Sequence, residues 1–226
     1  MCRRMRGCDG ENVRGTRHRW WRTLTSPDAM TTMEQTVRVM RPGVRREVVP
    51  SGLLGMVIFV GTEVMFFAGL ISAFTISKAG APGGAWNLPA GQVLPLASTA
   101  VNTLALFASG ALLWVGGRQY RAGSSAATQT LLAATFFGAL FVMLQGREWV
   151  SLIGHGVTVR SSALAAFFYV IVGAHAVHAV AALAGLGVAW WRLRAGGLSY
   201  GFFVAAETFW YFVVLIWPVI YARVYF

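Results

Sequence analysis

The 226-residue chain is 56% hydrophobic and only 12% charged, whereas soluble globular domains carry about 25% charged residues. Eleven of its 19 basic residues and five of its eight acids crowd into the first 49 positions, which carry +6 of the net charge of +11. These figures exclude an ordinary soluble domain, and they exclude nucleic acid as the partner, because no soluble fold presents the charge. They describe an all-α integral membrane protein with a polar N-terminal tail, for which anionic lipid headgroups are the natural counter-charge.

Residues 1–50 contain the Arg-rich pieces CRRMRG and RGTRHRWWRT and no sustained apolar period, which predicts a basic, disordered tail. Without an apolar signal core, no cleavage is expected. The cluster Arg17–Arg22, with Trp20 and Trp21, suits a membrane surface; the competing reading starts translation at Met30, Met33 or Met40 and makes residues 1–29 an artefact of gene calling. Cys2 and Cys8 both lie in this stretch and have neither metal-ligand partners nor the numbers for a disulfide framework.

From residue 51 onward five apolar spans follow, at about 53–77, 94–116, 127–149, 163–191 and 201–222. Roughly 20 apolar residues at 1.5 Å each cross the hydrocarbon core of a bilayer, and lipid cannot satisfy the backbone of an open strand, so each span is predicted to be a helix. The glycine pairs at 116–117 and 196–197 read as helix stops. The loop at 78–93, rich in Pro and Gly, reads as an ordered turn. Arg118 with Arg121, and Arg192 with Arg194, fall on the side of the tail, whereas Lys78, Arg147, Arg160 and Arg223 fall on the other. The positive-inside rule then places the N-terminus in the cytoplasm and the C-terminus on the outer side.

Beyond the tail only three acids remain, and Glu63 lies about ten residues inside the first span. An acid at such depth costs on the order of 2.5–3.5 kcal/mol and faces a protein partner or a polar cavity. Glu148 follows Gln145 by three positions at the end of span three, where nearby water lowers its cost. Glu207 in span five has Tyr211 one turn on, within reach of a hydrogen bond. His175 and His178 share one face of span four. A metal or haem face is one use of such a pair, but the chain offers only His155 and His18 besides, too few for opposed haem ligands or a dinuclear centre. Helix packing and a polar network are therefore the expected use. The glycines Gly55, Gly61 and Gly69, and the stripe Ala174, Ala181, Gly185, would permit close helix approach, although Ala and Gly are common in any membrane helix. No nucleophile–base pair, phosphate loop or zinc ligand set is present in the sequence.

In order, the residues themselves resemble one family. Thr62–Phe74, TEVMFFAGLISAF, resembles the SEVMFFAG run in the first span of five-helix subunit III proteins of haem-copper terminal oxidases. Asn102-Thr103 with Ser109-Gly110 is similar to that family's NT…SG, Gln145, Glu148 and Trp149 to its QxxEY/W, and Gly173–His178 to its GFHGxH. The resemblance covers about 52–226, and the tail has no counterpart in it. The last span departs: Tyr211 stands where the family has His, Val214 where it has Asp, and Val204 at the family's early acid, with Glu207 one turn later.

The resemblance implies a five-helix, non-redox subunit of the bacterial plasma membrane. It implies no haem, copper or other metal in this chain, packing beside subunit I in a complex with subunit II, bound phospholipid, and support of stability and sustained proton uptake. Such a complex passes electrons from a cytochrome c or a quinol to O₂ through its other subunits. Glu63 matches the family's carbodiimide-reactive glutamate, and Glu63, Asn102, Gln145, Glu148, His175, His178 and Glu207 form the expected polar and lipid-contacting framework. The rivals are an accessory subunit of nitric-oxide reductase, a small transporter built on Glu63 and Glu207, and a two-histidine haem protein.

Overall fold

The computed structural model describes residues 51–82, 86 and 96–225. The expected tail, and most of the turn at 78–93, lie outside the described residues. Within them the chain forms five helices: α1, Ser51–Gly80; α2, Leu96–Arg121; α3, Ala127–Gly154; α4, Ala163–Arg194; and α5, Tyr200–Val224. All five are long and apolar enough to cross a membrane, and among the described residues there is no strand.

Local chemistry fixes the ends. Ser162 and Ser199 cap α4 and α5, accepting from the amides of Ala165 and Phe202, which satisfies donors that a helix start leaves orphaned. Helix α4 stops at Gly196, whose φ of 71° is left-handed, while the Gly197 amide reaches back to the Arg192 carbonyl at 2.9 Å. The other glycine pair does not stop its helix. Gly116 and Gly117 lie inside α2, which runs on to Arg121. Their missing side chains serve packing instead: a Cβ on Gly117 would stand 2.5 Å from Glu207 Oε1, and one on Gly116 would touch Thr130 and Leu131. Helix α1 likewise continues through Lys78 to Gly80, beyond the expected end of its span.

Helices α2, α3, α4 and α5 close a ring in which each touches the next and α5 returns to α2, while α1 docks outside it against α4 and α5. Across the ring, Ser109 donates to the Ala134 carbonyl, Trp217 Nε1 to Thr103 Oγ1 and the Tyr221 hydroxyl to the Leu96 carbonyl. The core holds Trp210, Trp217, Phe141, Phe168 and Phe203, all buried. Gly138 makes room for Trp210, whose ring would lie 2.7 Å from an added Cβ. The glycines expected to permit close approach in α1 do not do so: Gly55, Gly61 and Gly69 have nothing within 4 Å of an added Cβ. In α4, Gly185 meets the Ala206 methyl at 3.9 Å.

Candidate functional site

Helix α1 carries one narrow inward stripe. Leu53, Met56, Val60, Glu63, Phe67, Leu70, Phe74 and Ser77, with Ile71 beside them, are its covered positions, and only Phe67 and Phe74 are fully buried. That three-and-four spacing is a seam of the coiled-coil type, and it aims Glu63 at α4. There its Oε2 lies 2.9 Å from His178 Nε2, each side chain less than a fifth exposed. The other nitrogen, His178 Nδ1, lies 2.7 Å from the Ala174 carbonyl. A carbonyl only accepts, so Nδ1 carries a proton. One proton therefore remains for the Glu63–His178 contact: a carboxylic acid donating to a neutral ring, or an imidazolium donating to a carboxylate. Either arrangement leaves the pair neutral, which is how a mid-span acid is tolerated in an apolar surrounding.

His175 lies one turn earlier but joins no such pair. It is 1% exposed, stacks on Trp217 with ring centroids 4.9 Å apart, and has Phe67 and Phe141 at its edges. The shared face of the two histidines thus holds two environments, divided by the Phe67 ring, which also edges His178 at 5.4 Å. No group of three or more His, Cys, Asp or Glu among the described residues is placed to hold a metal ion.

The second cluster gathers Asn102, Gln145 and Glu148, which the sequence singled out, with Thr99 and Tyr225, which it did not. Glu148 Oε2 accepts from Thr99 Oγ1 at 2.7 Å and Oε1 from Asn102 Nδ2 at 2.8 Å. Gln145 Nε2 donates to Glu148 Oε2 and to the Tyr225 hydroxyl, both at 3.3 Å. Tyr225 follows the end of α5, and burial there pushes its phenol above the ordinary range, an effect the Glu148 charge reinforces and hydrogen bonds with Thr99 and Gln145 oppose. The phenol stays a neutral hydroxyl.

The third cluster is at the opposite ends of α2 and α5. Arg121 Nη1 and Nη2 meet Glu207 Oε2 and Oε1 at 2.9 and 3.4 Å, and Tyr211, one turn on, donates to Oε1 at 3.2 Å. The Glu207 side chain is 8% exposed and that of Arg121 39%. Sequence reasoning treated Arg121 as a loop charge and missed this pairing. The signal was present, since both residues fall on the same side of the membrane in the charge pattern and a buried acid requires a partner. The Thr103–Trp217 bond left no comparable mark.

The three clusters together can anchor helices to one another, and the Glu63–His178 pair can share a proton; none places a nucleophile beside a base. Comparisons with known proteins find one family. The family model described as cytochrome c oxidase subunit III matches residues 16–226, a range that starts within the basic N-terminal stretch. The chain is 32% identical over 181 residues to a probable cytochrome c oxidase subunit 3 of Mycobacterium leprae, covering 76% of this chain and 86% of that one. It is 29% identical over 178 residues to the cytochrome c oxidase subunit 3 of Corynebacterium diphtheriae, with the same two coverages. The match to the subunit 3 of Syncerus caffer is 30% over 224 residues, 93% of this chain and 78% of the relative.

Proposed function

The chain belongs to the cytochrome c oxidase subunit III family, and from that premise we propose that it packs beside subunit I, with subunit II, as the non-redox subunit III of a proton-translocating haem-copper oxidase in a bacterial plasma membrane. The observation that carries this reading is the family match running through all five helices. In this role Glu63, Asn102, Gln145, Glu148, His175, His178 and Glu207 are a buried framework that fixes helix positions, and the haem and copper belong to the partner subunits. The N-terminus is cytoplasmic and the C-terminus outside, by the Arg118–Arg121 and Arg192–Arg194 charge pattern.

Two features of α1 support the partner and lipid assignments. Its outer surface is apolar and uncovered within the chain, with Met65 76%, Ile76 73% and Ile58 62% exposed. Between α1 and α5 runs a groove of about 370 Å³ lined by Val60, Val64, Tyr211, Phe212 and Leu215, a surface suited to an acyl chain. The names of the relatives favour the oxidase over the nitric-oxide reductase and transporter alternatives.

The test is a mild-detergent pull-down of the tagged chain, read by its optical spectrum and by mass identification of what accompanies it. A co-purifying haem-containing subunit I is expected. A colourless chain without partners, recovered intact from cells that respire on the oxidase, would overturn the reading.

A further inference from the structure

Where α3 meets α4, Trp149 fills the seam, its ring 3.4 Å from the place that a Cβ on Gly173 would take. One turn back on α3 stands Gly146, and α4 offers only Ala176 and Ala179 there, so the seam runs short of side chain. A cavity of about 110 Å³ results, closed on its inner side by Phe141, His175 and Trp217. These three rings brace one another, with centroids 5.2 Å apart for Phe141–Trp217, 4.9 Å for His175–Trp217 and 6.4 Å for Phe141–His175. A wall so braced relaxes only partly into the void beside it. Gln145, Trp149 and His175 all border the space, yet none of their nitrogen or oxygen atoms is exposed to it: the wall is carbon.

A water molecule needs two to four polar partners and finds none here, and cavities of this kind stay dry. A dry apolar void of about 150 Å³ takes benzene or xenon; this one is smaller and suits a guest between xenon and a short alkane in size. Its outer edge lies on the lipid side of the seam, where Gly146 is exposed and Val142 and Ala176 are half-buried. We propose that the α3–α4 seam holds a binding site for one small, polarizable apolar molecule drawn from the bilayer interior. The hydrophobic effect does not drive this binding, because the guest leaves one apolar medium for another. Dispersion does: atoms that line a void lack partners on one side, and the rings of Phe141, His175 and Trp217 regain most from a polarizable guest. The site therefore ranks guests by polarizability as well as by size, xenon above argon. The inference rests on α3, α4 and α5 of this chain and not on the identity of the complex.

Xenon is the probe. The full chain in lipid bilayers, labelled with ¹³C at its alanine methyls, is titrated with xenon pressure and read by solid-state NMR. The Ala176 and Ala179 methyls should shift along a saturating curve, and argon at equal pressure should shift them less. Ala68 is exposed on α1 and reports xenon dissolved in the lipid, without saturation. Shifts at Ala176 and Ala179 that only follow Ala68 would overturn the proposal. So would the absence of any shift, the result expected if the end of an acyl chain already fills the space. Ala176→Leu puts a larger side chain into the cavity at nearly equal helix propensity and should abolish the response at Ala179. Val172→Ile, which adds one methylene to the same wall, is the gentler variant and should weaken it. An Ala179 response unchanged in Val172→Ile would place the xenon elsewhere and refute the site.

Discussion

Glu148 and Glu207 are both acids that bind α2 to a neighbour, and they are held by opposite means. Glu207 has a fixed cation: Arg121 grips both its oxygens, with the Tyr211 hydroxyl added. Glu148 has no cation among its hydrogen-bond partners and is surrounded by neutral donors from Thr99, Asn102 and Gln145. The first arrangement concentrates the interaction in one partner, so loss of that partner strands a buried charge. The second distributes it, so the loss of any one donor leaves others in place. A carboxylate near the membrane surface can be stabilised either way, but only the first is brittle.

The comparison is most easily broken at Arg121. Arg121→Met should lower stability by about 2 kcal/mol, a figure reduced from the cost of breaking a fully buried pair because the arginine is partly exposed. Adding Glu207→Gln should recover most of the loss, since the stranded charge disappears with it. Thermal melts of the detergent-solubilised protein check both; no recovery in the double variant would show that the arginine acts through packing. Gly117→Ala comes next. Its Cβ would meet Glu207 Oε1 at 2.5 Å, and overpacking of this kind costs about 1–3 kcal/mol, partly offset by the roughly 1 kcal/mol helix preference of Ala over Gly. A net gain in the same melt would mean that the carboxylate shifts freely. The smallest effect is expected at the other end, where Asn102→Ala should cost only about 0.6 kcal/mol, the mean for interhelical hydrogen bonds in membranes. An effect as large as that of Arg121→Met would show that the Glu148 cluster hangs on one donor.

The spans could be read from the sequence because an apolar run long enough to cross a bilayer leaves the chain few alternatives to a helix. The depth of Glu63 announced that it needs a partner, but His178 is three helices further along the chain, and only the docking of α1 against α4 brings them together. The one-turn relation of Glu207 to Tyr211 was legible because it is local, and the hydrogen bond is there. Gly116 and Gly117 were misread for the same reason in reverse. A glycine pair beside arginines is a fair local stop signal, and only the tertiary approach of Glu207 and Thr130 reveals its use in packing. Asn102, Gln145 and Glu148 were visible as polar positions, while Thr99 and Tyr225 were not, because a threonine near a helix start and a tyrosine near a chain end carry no mark of what they will meet. The two histidines share a helix face, yet Phe67 from α1 gives them different surroundings, a division that no pattern within α4 encodes.

The position of α1 outside the ring also bears on how the protein is made. A ribosome delivers α1 before any of the helices it packs against, and both of its neighbours, α4 and α5, are the last two of the described helices to emerge. Until then Glu63 has no His178 to meet, and the covered stripe from Leu53 to Ser77 faces whatever surrounds the nascent chain. The α2–α3 hairpin, whose members are adjacent in sequence, can close while synthesis continues. Biogenesis therefore runs against chain order at this one element: the first of the described helices waits longest, and a nascent chain halted before α4 would leave an acid-bearing membrane helix without its partner, open to recognition by the quality-control machinery of the membrane.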